Sequence, residues 1–158
     1  AAGFGPVVLL VQSRVHWALG SDGAAINNDP DMLSEMRTAA LLAKGASGDA
    51  SALPAFQALK MATLNGASAL GLGAVTGSLV PGKSADLTAI DLNRLETQPV
   101  YDPVSQIVYA AGREQVTDVW VAGKRLLESG SLTTLDQDRI LARASSWRER
   151  IWENQGPD

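Results

Sequence analysis

The chain has 158 residues, with 13 Lys and Arg against 17 Asp and Glu, one His and no Cys. Without cysteine there are no disulfides, thiolate metal sites or thiol nucleophiles, and one imidazole cannot assemble a multi-histidine zinc site from this chain alone. A net charge of -4, a pI near 4.9 and a mean hydropathy of +0.02 leave no basic stripe for nucleic acid and no apolar run of bilayer length, so neither is an expected partner; the absence of cysteine suits a cytoplasmic location, which is the expectation.

The start at Ala1, running Ala1-Ala2-Gly3-Phe4-Gly5-Pro6, reads as interior sequence and predicts a piece of a larger protein. Pro6 can open a short apolar helix over Val7, Val8, Leu10 and Val11. Val15, Trp17, Ala18 and Leu19 then predict a strand buried on both faces, as in a parallel sheet. The turn formers from Gly20 to Asp29 predict a loop at that strand's carboxyl end, where α/β folds carry their chemistry. Asp29-Pro30 or Pro30-Asp31 opens a long helix to about Lys44, stopped by Gly45, with Met32, Leu33, Met36, Ala39, Ala40 and Ala43 inward and Glu35, Arg37 and Lys44 on the opposite side.

Leu53-Pro54 starts a second helix that continues past Thr63, with a break at Asn65-Gly66 and a short helix from Ala67 to Leu70. Gly77 to Ser84 is turn-rich, and alternation from Ala85 to Ile90 predicts a half-exposed strand. A helix is predicted from Pro103 to Ala111. Val116 to Val121 and Lys124 to Leu127 predict a hairpin turning at Ala122-Gly123. A closing amphipathic helix runs from Asp136 to about Trp152, with Ile140, Leu141, Ala144 and Trp147 in register.

The run Leu19-Gly20-Ser21-Asp22-Gly23-Ala24-Ala25, followed by Asn27-Asn28-Asp29 and Asp31-Met32, resembles the last barrel strand and following loop of the amidohydrolase superfamily. The nearest likeness is to the branch holding methylthioadenosine and S-adenosylhomocysteine deaminases, with triazine hydrolases and guanine deaminases. The same likeness continues through Glu35-Met36-Arg37, Met61-Ala62-Thr63-Leu64-Asn65-Gly66-Ala67, Gly82-Lys83-Ser84-Ala85-Asp86-Leu87, Tyr101-Asp102-Pro103 and Val119-Trp120-Val121-Ala122-Gly123-Lys124. It implies an α/β chain: the carboxyl-terminal part of a (β/α)8 metal-dependent hydrolase barrel plus part of a small β domain. Residues 1–74 would be the last helix, strand and following helices of the barrel, 75–135 the β-domain strands with an intervening helix, and 136–158 the closing helix and tail.

The resemblance also implies an activity, hydrolytic deamination of an adenosine-type nucleoside, and a divalent metal, zinc, as cofactor. In that family the metal is held by a His-x-His pair, two later His residues and one Asp, and Asp22 is the position that matches the Asp. Its implied roles are metal ligand and acceptor of a proton from the attacking water, two tasks a carboxylate can divide between its oxygens. The remaining ligands would come from a missing amino-terminal barrel segment or another chain, and a homo-oligomer acting on a small-molecule substrate is expected. A related triazine or guanine hydrolase, or a truncated non-catalytic homologue acting as a packing or oligomerisation module, stands as the alternative.

Read without the resemblance, Asp22 in its Gly-rich loop is a turn or capping residue. His16, placed within the expected strand, is a packing or surface residue. Asn27-Asn28-Asp29 could line a pocket or cap the helix opening at Pro30. Gly82-Lys83 lacks the spacing of a phosphate loop and reads as a turn, and Trp120, Trp147 and Trp152 read as core and packing residues.

Overall fold

The computed structural model describes Ser13 and residues 17–155, and the side chains up to residue 152. The helix expected over Pro6–Val11 and His16 lie outside the described residues. Of the strand expected over Val15–Leu19, the described part carries no ladder; Trp17 and Leu19 pack against the core while Ala18 is exposed, and the Leu19 N–H donates to the Met61 carbonyl at 3.2 Å. Within the described residues the segment thus sets one side against the helical core.

Helix α1 spans Met32–Ser47. Asp31 is its N-cap, Oδ1 accepting the Leu33 N–H at 3.0 Å, so the cap lies after Pro30 rather than in the Asn27–Asp29 run. The helix passes through Gly45 and stops at Gly48, which takes φ +67° and returns its N–H to the Lys44 carbonyl. Two features carry the chain past Gly45. A helical glycine costs only about 1 kcal/mol relative to alanine, and the Ser47 hydroxyl bonds the Ala43 carbonyl at 2.7 Å, binding the last turn to the one before it.

Ser34, Thr38, Leu41 and Leu42 form the solvated side of α1, whereas Arg37 and Lys44 are half-buried and turn their charges onto backbone carbonyls. Arg37 donates to the Ala111 carbonyl at 2.6 Å and to the Val108 carbonyl at 3.4 Å. Lys44 donates to the Ala52 carbonyl at 2.6 Å and the Leu53 carbonyl at 3.1 Å, and lies 5.6 Å from the Tyr109 ring centroid. Both cations thus occupy carbonyls that helix ends and turns leave without partners.

Helix α2 is Ala55–Ala62 and helix α3 is Leu64–Ala69. The break falls at Thr63, where φ -124° and ψ -97° leave the helical region, so Asn65-Gly66 sits inside α3 instead of ending α2. Helix α4, Pro103–Tyr109, starts from Asp102, whose carboxylate accepts from the Val104 and Ser105 backbone N–H groups, and ends two residues before the expected Ala111. Helices α1, α2 and α4 enclose one core of Met36, Ala40, Ala43, Leu53, Ala55, Ala58, Met61 and Val108. Four of these eight are alanines, which lets the helix backbones approach closely. Leu53 is buried at φ +45°, a backbone conformation that costs a leucine about 1–3 kcal/mol and persists because its side chain fills the core.

The segment after α3 folds back on it. Gly77 adopts φ +84°, and a Cβ there would stand 2.6 Å from the Ala67 Cβ and 3.0 Å from the Leu64 Cα. We expect Gly77→Ala to destabilise the protein by about 2–4 kcal/mol, the sum of a left-handed alanine and overpacking against α3. Denaturant unfolding measures it, and a loss below about 1 kcal/mol would show that α3 yields without penalty.

Pro81-Gly82 forms the turn expected there: Gly82 has φ +93° and the Lys83 N–H bonds the Val80 carbonyl at 3.1 Å. Lys83 Nζ then donates to the Gly73 carbonyl and, at 2.8 Å, to Ser78 Oγ. This is a cross-link within the connector, with no free ammonium for a phosphate.

Strands β1 (Leu87–Ile90), β2 (Val116–Val121), β3 (Lys124–Glu128) and β4 (Ser131–Leu132) form an antiparallel sheet in that order. Leu87 pairs with Trp120, Val119 with Leu127 and Leu127 with Leu132. Ala122 and Gly123 both have positive φ, +50° and +78°, the type I′ geometry whose twist suits a two-residue hairpin. Asp86 joins the hairpin tip to the connector. Its carboxylate accepts from Thr76 Oγ1, the Ala122 N–H and Ser84 Oγ, and these bonds, Thr76 first, hold it below the usual carboxylate range.

Gln115, fully buried between a 3-10 turn (Arg113–Gln115) and β2, was not foreseen in the sequence. Its Nε2 donates to Glu96 at 2.7 Å, its Oε1 accepts the Gly112 N–H at 2.6 Å, and its carbonyl accepts the Asp91 N–H at 2.8 Å. Helix α5, Gln137–Gln155, closes the chain, and every side chain described on it is exposed. Trp147 and Trp152 are therefore surface residues, contrary to the packing expected of them. Trp120 in β2 is half-buried, with the Arg125 guanidinium 5.3 Å from its ring centroid. Among the described residues no helix is long and apolar enough to cross a membrane.

Candidate functional site

The loop from Gly20 to Asp31 leaves the core at Leu19 and re-enters it with α1. Asp22 stands at φ +60°, a left-handed conformation that Asp and Asn tolerate better than other side chains. The residue is exposed. Its Oδ1 accepts the Gly23 N–H at 2.6 Å, while Oδ2 takes no hydrogen bond from the described residues. The loop therefore holds one carboxylate oxygen and presents the other.

Asn27 organises this turn. Its Nδ2 donates to the Ser21 carbonyl and to Glu35 Oε1, each at 2.8 Å, its backbone N–H donates to the Gly23 carbonyl at 2.9 Å, and its Oδ1 accepts the Asp29 N–H at 3.0 Å. Because both contacts of the amide nitrogen are acceptors, the side chain has one possible orientation. The far end of the loop is tied to the tail: Arg113 pairs with Asp29 and, at 3.4 Å, with Asp31.

Asp22 was read from the sequence, and Asn27 was noted as an amide facing a pocket or capping a helix. The bridging role of Asn27, and Glu35 and Arg113 with it, were missed. Glu35 carried a signal, since it falls in the first turn of α1 beside an Asn-rich loop. Arg113 carried none, being 84 residues from Asp29.

Among the described residues there is no group of three or more His, Cys, Asp or Glu side chains able to hold a metal ion. A catalytic zinc takes about three protein ligands. Asp22, exposed and with one oxygen unengaged, fits a single ligand of such a set; the described residues do not supply the rest.

An α-helical cluster beside a four-stranded antiparallel sheet, with an acidic loop entering its first long helix, defines a chain of mixed helix and sheet. Residues 3–126 match the model of the amidohydrolase family, and the chain belongs to that family. It is 51% identical over 151 residues to a 5-methylthioadenosine/S-adenosylhomocysteine deaminase of Teredinibacter turnerae, covering 96% of this chain and 34% of that protein. It superposes on the crystal structure of an adenosine deaminase from Xanthomonas campestris with bound zinc, with a TM-score of 0.93 and 51% identity over 96% of this chain and 35% of that one. A zinc complex of atrazine chlorohydrolase from Arthrobacter aurescens is also similar, with a TM-score of 0.84 and 27% identity over 91% of this chain and 32% of that one. The chain thus spans about a third of the length of the relatives it matches.

Proposed function

We propose that these residues form the carboxyl-terminal third of a metal-dependent aminohydrolase that deaminates an adenosine-type nucleoside, 5′-methylthioadenosine or S-adenosylhomocysteine. In the reaction water adds to the ring carbon bearing the amino group, the carbon–nitrogen bond breaks, and ammonia leaves. The observation that carries this reading is the 51% identity to a relative named for that activity, maintained over 96% of the chain. The barrel, completed by an amino-terminal segment, belongs to the same proposal, as does the division at residues 74 and 135.

Asp22 is the residue of this chain assigned to the chemistry. A divalent cation, zinc in the similar adenosine deaminase, would make water nucleophilic at neutral pH when bound. Asp22 would hold the cation through one oxygen and take the water's proton on its carboxylate, and its exposure and unengaged Oδ2 support both tasks. Ammonia release by the full-length protein from methylthioadenosine, S-adenosylhomocysteine and guanine, measured beside chloride release from atrazine, tests the substrate class. Turnover of guanine or atrazine alone would favour the related hydrolase instead.

The 158 residues purified alone are expected neither to retain zinc nor to release ammonia from methylthioadenosine, because one carboxylate cannot provide the ligands a catalytic zinc requires. Metal analysis after dialysis and an ammonia assay check this. Stoichiometric zinc together with turnover would mean that the chain carries a complete site.

A further inference from the structure

We infer that Asn27 and Glu35 act as a positioning relay that sets the direction of the Asp22 carboxylate toward a divalent cation; the inference rests on the reading of Asp22 as a ligand. Asn27 brackets Asp22 on both sides. Its side-chain Nδ2 holds the Ser21 carbonyl, and its backbone N–H holds the Gly23 carbonyl. The Ser21 carbonyl lies in the same rigid peptide plane as the Asp22 nitrogen, so fixing that oxygen fixes the plane from which Asp22 turns into its left-handed conformation.

The amide of Asn27 is itself oriented by Glu35, whose Oε1 accepts its second N–H. Glu35 belongs to the first turn of a 16-residue helix, next to Met36, which is buried in the core. The chain of contacts therefore runs from the helical core through a carboxylate and an amide to the peptide before Asp22. Neither Asn27 nor Glu35 is given a contact with substrate or cation; both act through Asp22. Partners of this kind, one step removed from a metal ligand, characteristically change metal affinity or activity by about 10–100-fold when removed.

The test uses the full-length protein, stripped of metal and titrated with zinc against a chromophoric chelator, with thermal unfolding of each variant recorded alongside. Asn27→Ala and Glu35→Ala should each weaken zinc binding by about 10–100-fold and lower kcat while KM for methylthioadenosine stays near that of the parent. The double variant should bind zinc no more weakly than the worse single one, because one relay is cut twice. Glu35→Gln, whose side-chain oxygen still accepts from Asn27, should keep affinity close to the parent's, an outcome that a requirement for negative charge would not produce.

Parental zinc affinity in folded Asn27→Ala and Glu35→Ala proteins overturns the relay, as does a Glu35→Gln protein as weak as Glu35→Ala. Should Asn27→Ala fail to fold, the comparison of the two Glu35 variants decides the matter. Asp22→Asn measured in parallel separates the two levels. If it weakens zinc binding and the relay variants do not, the relay alone falls; if it too binds zinc like the parent, the assignment of Asp22 as a ligand falls and the relay with it.

Discussion

Asp22→Asn in the full-length protein is expected to lower kcat by roughly 10²–10⁴-fold, the range that a positioned proton acceptor contributes, and to leave the fold intact. The fold should survive for two local reasons. Asparagine tolerates the left-handed backbone that Asp22 adopts, and its side-chain oxygen can still accept the Gly23 N–H. What the amide lacks is the negative charge and a basic oxygen on the exposed side, where Oδ2 now stands. Losing an interaction made with the reacting water should reduce kcat and kcat/KM together, whereas a disturbed pocket would raise KM. Steady-state kinetics with methylthioadenosine, combined with circular dichroism and metal analysis, measure each component. A folded, metal-loaded Asp22→Asn protein with kcat within about tenfold of the parent would remove Asp22 from the chemistry.

Local signals made much of this architecture legible. The hairpin at Ala122-Gly123 was readable because strand alternation on both sides leaves two residues to turn, and the start of α4 because Asp102-Pro103 combines a capping side chain with a proline suited to the first turn. Helix ends were misplaced where a tertiary contact outweighed the local breaker. Gly45 looks like a stop in isolation, yet α1 continues to Gly48 under the packing of Ala43 and the Ser47 back-bond. Asn65-Gly66 looks like a break, yet Thr63 supplies it, because the N-terminal end of α3 is where Gly77 docks.

The site divides in the same way. Asp22 is marked by its short motif and by resemblance to a family. Asn27 and Glu35 also fall within the segments of resemblance, but nothing in the sequence joins the Asn27 amide to the Glu35 carboxylate until the loop is folded over the helix. Arg113 and Gln115 belong to the same kind of omission: each joins segments far apart in sequence, and a long-range polar contact has no periodicity to read. Trp147 and Trp152 failed for the opposite reason: aromatic residues on an amphipathic helix are normally buried, yet both are exposed, and Trp147 meets the Arg150 guanidinium of its own helix, 5.6 Å from its ring centroid.

That exposed apolar surface leads to the second large effect: the 158 residues alone are expected to self-associate at micromolar concentration. On α5, Ile140, Ala144, Trp147 and Ile151 recur at spacings of four, three and four and so line one face, and none is buried. The sheet adds a second liability. Strand β1 pairs with β2 on one side and has no strand on the other among the described residues; it contains neither proline nor charge from Leu87 to Ile90, so its outer backbone groups are open to pairing. A third patch lies in the connector, where Leu70, Leu72, Val75, Leu79 and Val80 are all exposed. Soluble monomers seldom leave contiguous apolar patches beyond a few hundred Å² uncovered, and here an apolar helix face, a sheet edge and a connector are exposed together. Sedimentation velocity over a concentration series should show species larger than a monomer, and Trp147→Glu with Ile151→Lys should reduce them if the α5 face is the principal contact. Hydrogen exchange supplies the complementary reading, with β1 amides gaining protection as concentration rises. A monodisperse monomer at every concentration, with β1 and α5 amides already strongly protected, would show that these surfaces are satisfied within the chain and that association is not how they are covered.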